Sequence, residues 1–240
     1  MGGFSMERYA EGAEEVARAA NRLAELGYVT SHGGNLSLRA SEGVALITPT
    51  KVPKRDVRPE DVCAVDMDGN ALHAKPGRKP TGEWPFHLRI MRLRPDVRGV
   101  LHAHPPVLTG FAIAGGGDMA RAFLPEPVIE VGPMLSVPYA EPLSEELAER
   151  FDAYILRSNG FLMENHGMLM VSAEGVWRAL ELTEMMEAAA KSILVARLLG
   201  GARELPPEEV DKLENVIRIR ELPLPGARGA IDSLAEAYGR

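Results

Sequence analysis

The most constraining feature of this 240-residue chain is the segment at residues 99–105, which reads Gly-Val-Leu-His-Ala-His-Pro. Its apolar residues predict a short buried strand, and Pro105 cannot extend the hydrogen-bond ladder of that strand. Because side chains alternate between the two faces of a strand, His102 and His104 point to the same side. Two imidazoles side by side at a strand end can hold a divalent metal, although hydrogen-bonded core histidines would show the same pattern.

A third metal ligand and an acid–base group are predicted from two other segments. His166 lies in an Asn-His-Gly turn between two apolar stretches, and such a turn projects a side chain from the end of a sheet. Three histidines with an open coordination position are typical of catalytic Zn²⁺, with Co²⁺ or Mn²⁺ as alternative ions. Glu83, at the start of a predicted helix, is a candidate fourth ligand that can leave the metal and act as a general base.

Composition narrows the classes of function. The formal net charge of -7 disfavours a nucleic-acid partner or an anionic membrane. The single Cys63 excludes an intramolecular disulfide, and no apolar run approaches the roughly 20 residues that span a bilayer. The N-terminus lacks the pattern of a secretory signal. We therefore expect a cytoplasmic protein.

Hydrophobic periodicity and turn signals predict helices and short strands in irregular alternation. This pattern favours one α/β domain over residues 1–240, with a mostly antiparallel or mixed central sheet. Helices are expected at about 5–26, 81–95, 107–113, 144–156, 173–199 and 207–220, with a weak one near 234. Strands are expected at about 36–39, 45–48, 62–67, 71–72, 99–104, 128–131 and 135–139, and two more within 160–171.

Five motifs, in the same order along the chain, resemble the class II aldolase/adducin-like family. This family includes L-fuculose-1-phosphate aldolase and L-ribulose-5-phosphate 4-epimerase. The resemblance covers about residues 10–220 and leaves 221–240 as a C-terminal tail. The motifs are SHGGNLSLR at 31–39, LITPT at 46–50, PTGEW at 80–84 with His87 after it, HAHP at 102–105 and ENHG at 164–167.

The resemblance implies a fold, an ion and an activity. The fold is a three-layer α/β/α sandwich around a mainly antiparallel sheet, assembled as a homotetramer with active sites between subunits. Zinc would be held by His102, His104 and His166, with Glu83 coordinating it at rest and then serving as the acid–base group. The activity is aldol (retro-aldol) cleavage of a ketose phosphate such as L-fuculose 1-phosphate, through an enediolate that zinc stabilises. The substrate phosphate would lie on Gly34, Asn35, Thr50, Lys51, Thr81 and Gly82.

The phosphate pocket departs from the family pattern at two places. Lys51 stands where the sugar-phosphate aldolases typically have glycine, and Thr81-Gly82 stands where they have two serines. The pocket therefore loses one hydroxyl and gains the cation of Lys51. This cation could bind phosphate as a point charge or select a carboxylate. His87 lies four residues after Glu83 on the same helical face, and we expect it to pack rather than to orient a ligand.

The catalytic tyrosine of the aldolases is also missing at its expected position. An ungapped alignment puts Phe123 or Leu124 there, and only Tyr238 could replace the C-terminal tyrosine of those enzymes. Two other reactions on the same site therefore stay open. Epimerisation at C4 of a pentulose phosphate is disfavoured because epimerases generally carry Asp where Glu83 stands, whereas Lys51 favours decarboxylation of a β-keto or aromatic acid. A non-enzymatic adducin-like module would lack the metal histidines.

Overall fold

A computed structural model describes residues 4–239 and contains one eight-stranded sheet. The strands are β1 (Asn35–Ser41), β2 (Val44–Ile47), β3 (Cys63–Val65), β4 (Ala71–His73), β5 (Gly99–Ala103), β6 (Leu135–Val137), β7 (Gly160–Met163) and β8 (Gly167–Ser172). Their order in the sheet is β4-β3-β2-β1-β5-β8-β7-β6. The predicted α/β class is confirmed, and the sheet is mixed. Strand β6 runs parallel to β7, while the other neighbouring pairs are antiparallel.

Helices cover both faces of the sheet. They are α1 (Ala10–Glu25), α2 (Trp84–Leu93), α3 (Pro106–Ile113), α4 (Pro125–Glu130), α5 (Glu145–Arg150), α6 (Val176–Leu198), α7 (Pro207–Ile219) and α8 (Leu234–Ala237). Leu101 of β5 belongs to a buried cluster with α1, α3 and α6, whereas its neighbour Val100 belongs to a second cluster with α2 and α5. Because adjacent residues of one strand enter different cores, the sheet is buried between two helical layers. Helices α4, α7 and α8 form a smaller third cluster.

Strand β5 lies near the middle of the sheet, between β1 and β8, and is buried along its length. The register pairs His102 with Asn35 of β1. The strand predicted here is confirmed, but it ends at Ala103. The next residue, His104, is held by its own backbone N–H, which donates to the carbonyl of Tyr28 at 2.8 Å. The sheet therefore fixes one histidine of the pair, and a loop contact fixes the other.

Two predicted elements near the C-terminal half need correction. The apolar run at 128–131 was expected to form a strand, but it lies in or just after helix α4. Pro125 and Pro127 explain the difference, because proline suits a first helical turn and cannot donate to a strand ladder. The hydroxyl of Ser144 caps α5 by accepting the N–H of Leu147 at 3.0 Å, but the α-helix is shorter than the predicted 144–156.

The other helices occur close to their predicted positions, with ends shifted by a few residues. None of the helices within residues 4–239 is long and apolar enough to cross a bilayer.

Gly99 provides a test of how tightly the start of β5 packs. A Cβ on Gly99 would lie 2.2 Å from the carbonyl carbon and oxygen of Gly175. Because backbone atoms cannot rotate aside, we expect Gly99→Ala to lower the free energy of unfolding by about 2–3 kcal/mol, measured by urea denaturation. Gly43→Ala is the matched control, since a Cβ there meets no atom within 4 Å. Equal stabilities of the two variants would contradict this packing.

Candidate active site

Three histidines converge at one end of the sheet. The Nε2 atoms of His102 and His104 lie 3.1 Å apart. One ligand-capable atom from each of His102, His104 and His166 lies within 4.8 Å of the others. His166 reaches the cluster from the turn between β7 and β8, where Asn165 adopts a positive φ of 55°. The three predicted metal ligands are therefore brought together from two separate parts of the chain.

The rings of this cluster are neutral and offer lone pairs. Burial, with the charges of the neighbouring rings, lowers the pKa of His102 well below 6.5. Burial also lowers the pKa of His104 to about 4 and that of His166 below its usual value. The Nδ1–H of His102 donates to the carbonyl of Met168 at 2.9 Å, which leaves Nε2 with a lone pair that faces the cluster. The buried Nδ1 of His166 has no hydrogen-bond partner among the described residues. This donor set fits a divalent metal.

The carboxylate of Glu83 lies beside the histidines. Its Oε2 is 3.7 Å from Nε2 of His102, and its Oε1 is 3.8 Å from Nε2 of His166. Glu83, rather than Thr81, is the N-cap residue of α2. The hydroxyl of Thr81 instead accepts the N–H of Glu83 at 3.4 Å. A helix N-terminus favours the negative charge of this buried carboxylate.

A line of hydrogen bonds fixes the orientation of Glu83, and it contains the histidine that we expected only to pack. The Nδ2 of Asn35 donates to Oε2 of Glu83 at 2.6 Å, so its Oδ1 faces His87. His87 is fully buried, and burial lowers its pKa to about 3. The neutral ring therefore donates from Nε2 to Asn35 at 2.5 Å and accepts from the hydroxyl of Ser37 at 2.7 Å.

The sequence did contain a signal for this hydrogen-bonded line. Glu83 and His87 are separated by one helical turn, and Asn35 and Ser37 alternate on one face of β1. The sequence alone did not show that helix α2 packs onto strand β1. Because each residue orients the next, the role of His87 is to position Glu83 through Asn35.

The family of the chain follows from a comparison with known sequences. The profile of the family described as "Class II Aldolase and Adducin N-terminal domain" matches residues 14–194. This span covers most of the chain and includes the histidine cluster, Glu83 and the hydrogen-bonded line behind it. The chain belongs to the class II aldolase and adducin family. Members of this family that are enzymes use a metal, in agreement with the cluster of histidines.

Relatives within the family carry out more than one reaction. The 3-oxo-tetronate 4-phosphate decarboxylase of Haemophilus influenzae is 34% identical over 195 residues, covering 80% of this chain and 90% of the relative. The L-fuculose phosphate aldolase of the same organism is 29% identical over 217 residues, covering 87% and 93%. The crystal structure of Escherichia coli YgbL, described as an aldolase/epimerase/decarboxylase, matches at 29% identity with a TM-score of 0.77, covering 85% of this chain and 98% of that one.

The glycine pair of the first family motif lies directly against the histidine cluster. Gly34 has a φ of 69°, and a Cβ there would lie 2.8 Å from the carbonyl oxygen of His102. A Cβ on Gly33 would lie 3.1 Å from Nδ1 of His104. Residues without side chains are therefore needed for this loop to approach the end of β5 so closely.

The remaining residues of the predicted phosphate pocket lie on two adjacent loops. The N–H of Thr50 donates to the carbonyl of Lys79 at 2.9 Å, and the N–H of Thr81 donates to the carbonyl of Thr48 at 3.0 Å. Gly82 follows directly and is exposed. The structure thus brings the second and third family motifs together. Their binding of phosphate stays a prediction.

Lys51 lies on a neighbouring open surface. Its side chain is exposed, and its backbone has a positive φ of 59°. It lines a groove of about 410 Å³ together with Arg58, Lys75 and Arg78. Lys75 and Arg78 pair with the buried carboxylate of Asp61 at 3.7 and 2.7 Å. The cation gained at position 51 therefore belongs to a basic groove, and its contact with a substrate stays a prediction.

Tyr238 lies beside Phe123 and Leu124, the residues aligned with the first tyrosine of the family's aldolases. Tyr238 packs against the third hydrophobic cluster, formed by α4, α7 and α8. It also lines a small cavity together with Phe123 and Leu124. The first tyrosine position thus carries an apolar side chain, and Tyr238 lies beside it. The replacement of the C-terminal tyrosine by Tyr238 stays a prediction.

His87 predicts a specific pH dependence of stability. Its pKa is about 3 in the folded protein and 6.5 in the unfolded chain. Its contribution is therefore fully present above pH 6.5 and is lost as the pH falls towards 3. In metal-free protein, we expect His87→Gln to reduce the fall of unfolding free energy between pH 6 and 4 by up to about 1.4 kcal/mol per pH unit.

Urea unfolding at several pH values measures this slope, and His32→Gln, at an exposed position, is the control. A slope that stays the same in His87→Gln would contradict the neutral buried ring.

Proposed function

We propose that this protein is a metal-dependent carbon–carbon lyase for a small phosphorylated hydroxy-carbonyl compound. In this proposal His102, His104 and His166 hold the metal, and Glu83 is the acid–base group. The observation that carries it is the cluster itself: three neutral imidazoles with ligand atoms within 4.8 Å and a carboxylate at 3.7–3.8 Å from two of them. Zinc suits three histidines and an open position best, and Co²⁺ or Mn²⁺ could replace it.

A divalent metal at this site supplies Lewis-acid stabilisation of negative charge that develops on substrate oxygens. The chain's own residues handle the proton. One oxygen of Glu83 is held by Asn35 at 2.6 Å, so the other is available on the side of His166. Because the buried ring of His87 is neutral, the line behind Glu83 orients the carboxylate without giving it a counter-charge.

Among the reactions open to this site, we favour decarboxylation of a 3-oxo acid phosphate. The chemistry of the substrate named for the Haemophilus influenzae decarboxylase explains how closely the two activities are related. Loss of CO₂ from 3-oxo-tetronate 4-phosphate breaks the C1–C2 bond and leaves its electron pair on C2 and the adjacent carbonyl. Retro-aldol cleavage of a ketose 1-phosphate at C3–C4 leaves the same enediolate of dihydroxyacetone phosphate.

The two reactions differ in the fragment that leaves. Aldol cleavage must move the proton of a hydroxyl as an aldehyde forms, whereas CO₂ departs without any proton transfer. Phe123 or Leu124 at the tyrosine position therefore impairs an aldolase but not a decarboxylase. In the decarboxylation, Glu83 takes a proton from solvent and delivers it to C2. Aldol cleavage is the second candidate, supported by the relative named L-fuculose phosphate aldolase.

Metal content tests the ligand set before any substrate is known. We expect the purified protein, dialysed against zinc, to hold about one ion per chain, as a three-histidine site should. His102→Gln and His166→Gln should each retain less than about a tenth of that, because loss of one of three ligands opens the site. Elemental analysis by mass spectrometry measures it, and His73→Gln, outside the cluster, should bind as the parent does. Full zinc content in His102→Gln would contradict the assignment.

The reaction itself can be tested with two substrates. We expect the zinc-loaded protein to convert 3-oxo-tetronate 4-phosphate into equal amounts of CO₂ and dihydroxyacetone phosphate, and to cleave L-fuculose 1-phosphate more slowly. Glu83→Gln should reduce the rate by about 10²- to 10⁴-fold, the usual range for a lost acid–base group. Reduction of dihydroxyacetone phosphate coupled to NADH oxidation follows both reactions.

Faster cleavage of L-fuculose 1-phosphate would favour the aldolase. No product from either substrate would overturn both candidates.

A further inference from the structure

Lys54 is a buried cation close to the candidate active site. Lys54 is only 2% exposed, and it is the first residue of a short 3-10 helix (Lys54–Asp56). The ammonium donates to the carbonyl of His32 at 3.2 Å, and no carboxylate in residues 4–239 lies within 4.0 Å of it. Burial lowers the pKa of Lys54 to about 8. Because a buried charge without a partner is unfavourable, an anion from outside the chain would stabilise this ammonium.

The backbone around Lys54 is held on both sides. Its N–H donates to the carbonyl of Ser31 at 3.1 Å, and its carbonyl accepts from the side chain of Asn21 at 2.8 Å. The ammonium is tied to the same loop through His32. This loop therefore has a fixed position relative to Lys54, and the cation is in place before a ligand arrives.

The loop that Lys54 holds is the one that touches the metal histidines. Gly33 and Gly34 of this loop lie against His104 and the end of β5. The charge of Lys54 reaches the cluster itself, because it lowers the pKa of His104, while the charge of Glu83 raises the pKa of Lys54. The ammonium thus contacts the loop that carries the glycine pair, and its charge acts on His104 and Glu83.

We propose that Lys54 binds the phosphate group of the substrate and supplies a buried counter-charge to it. This assignment rests on the function proposed above. Phosphate matches the setting, since lysine adds a point charge beside the loop of Gly34, a residue of the predicted phosphate pocket. The positive charge of Lys54 also compensates for the serine hydroxyl that the family's aldolases have at the position of Gly82.

The chemistry of the reaction argues against the other negative groups of the substrate. A cation beside the carboxylate that leaves as CO₂ would stabilise the ground state and slow the reaction. A metal held by His102, His104 and His166 would supply positive charge to the oxygens at the reacting carbons. The phosphate keeps the same charge before and after the bond is cleaved. A cation in a fixed position can therefore bind it throughout the reaction.

A pair of inhibitors that differ only in phosphate tests this assignment. Phosphoglycolohydroxamate and glycolohydroxamate share the same metal-chelating group. We expect Lys54→Met to weaken binding of phosphoglycolohydroxamate to the zinc-loaded protein by about 10- to 100-fold, the worth of a hydrogen bond to a charged group. Binding of glycolohydroxamate should change by less than about twofold, since the chelating contacts remain. Isothermal titration calorimetry measures both affinities.

Arg55→Met is the matched control, because it removes an exposed cation one residue away and should leave both affinities unchanged. Binding of glycolohydroxamate also shows that a variant has kept its metal centre. Where Lys54→Met does not fold, Lys54→Gln keeps a donor for the carbonyl of His32 and takes its place. Equal weakening of both inhibitors would place Lys54 at the metal end and overturn the proposal, as would no change in either.

Failure of the unmodified protein to bind either hydroxamate would instead overturn the proposed function, and this assignment with it.

Discussion

The backbone pairing of β5 with its two neighbours is the interaction on which the candidate site depends. It places His102 opposite Asn35 of β1, and it brings the β7–β8 turn with His166 over the same sheet end. A slip of one residue between β1 and β5 would turn Asn35 and Ser37 to the opposite face. The hydrogen-bonded line to Glu83 would then be broken while the metal histidines stayed where they are. Register thus couples the position of the three histidines to that of Glu83.

The core of the protein sets the electrostatics of the site. Phe86 of α2 stacks on the ring of His87, with centroids 4.5 Å apart, and meets the ring of His102 edge-on at 5.9 Å. This aromatic side chain keeps water from both rings, and burial is the largest cause of their lowered pKa values. A neutral ring can bind a metal or accept a hydrogen bond, and a charged one cannot do either through the protonated nitrogen. The same desolvation that stabilises the apolar core therefore prepares the site for chemistry.

Much of the site could be predicted from the sequence because its signals are local. Alternation along β5 and the turn before β8 are properties of a few consecutive residues, and both predicted where His102 and His166 point. The roles of His87 and Lys54 depend instead on how separate elements pack. A Pro-Lys-Arg stretch is typical of a solvated loop, and nothing local distinguishes the buried Lys54 from the exposed Arg55. The strand predicted at residues 128–131 was wrong for a related reason, because this apolar run fits either a strand or a short buried helix such as α4.

The division between aldolase and decarboxylase is decided outside the metal cluster. Both proposed reactions would leave the same enediolate, so the proposed roles of the three histidines and Glu83 suit either one equally well. What separates them is the group that must be handled as it leaves, and CO₂ needs no proton donor. An apolar side chain at Phe123 or Leu124 is therefore compatible with a decarboxylase, while the phenol of Tyr238 lies beside that position in the third cluster. The two reactions share the enediolate and differ only in what the leaving fragment requires. A family member can therefore change its reaction by changing the residues that contact that fragment.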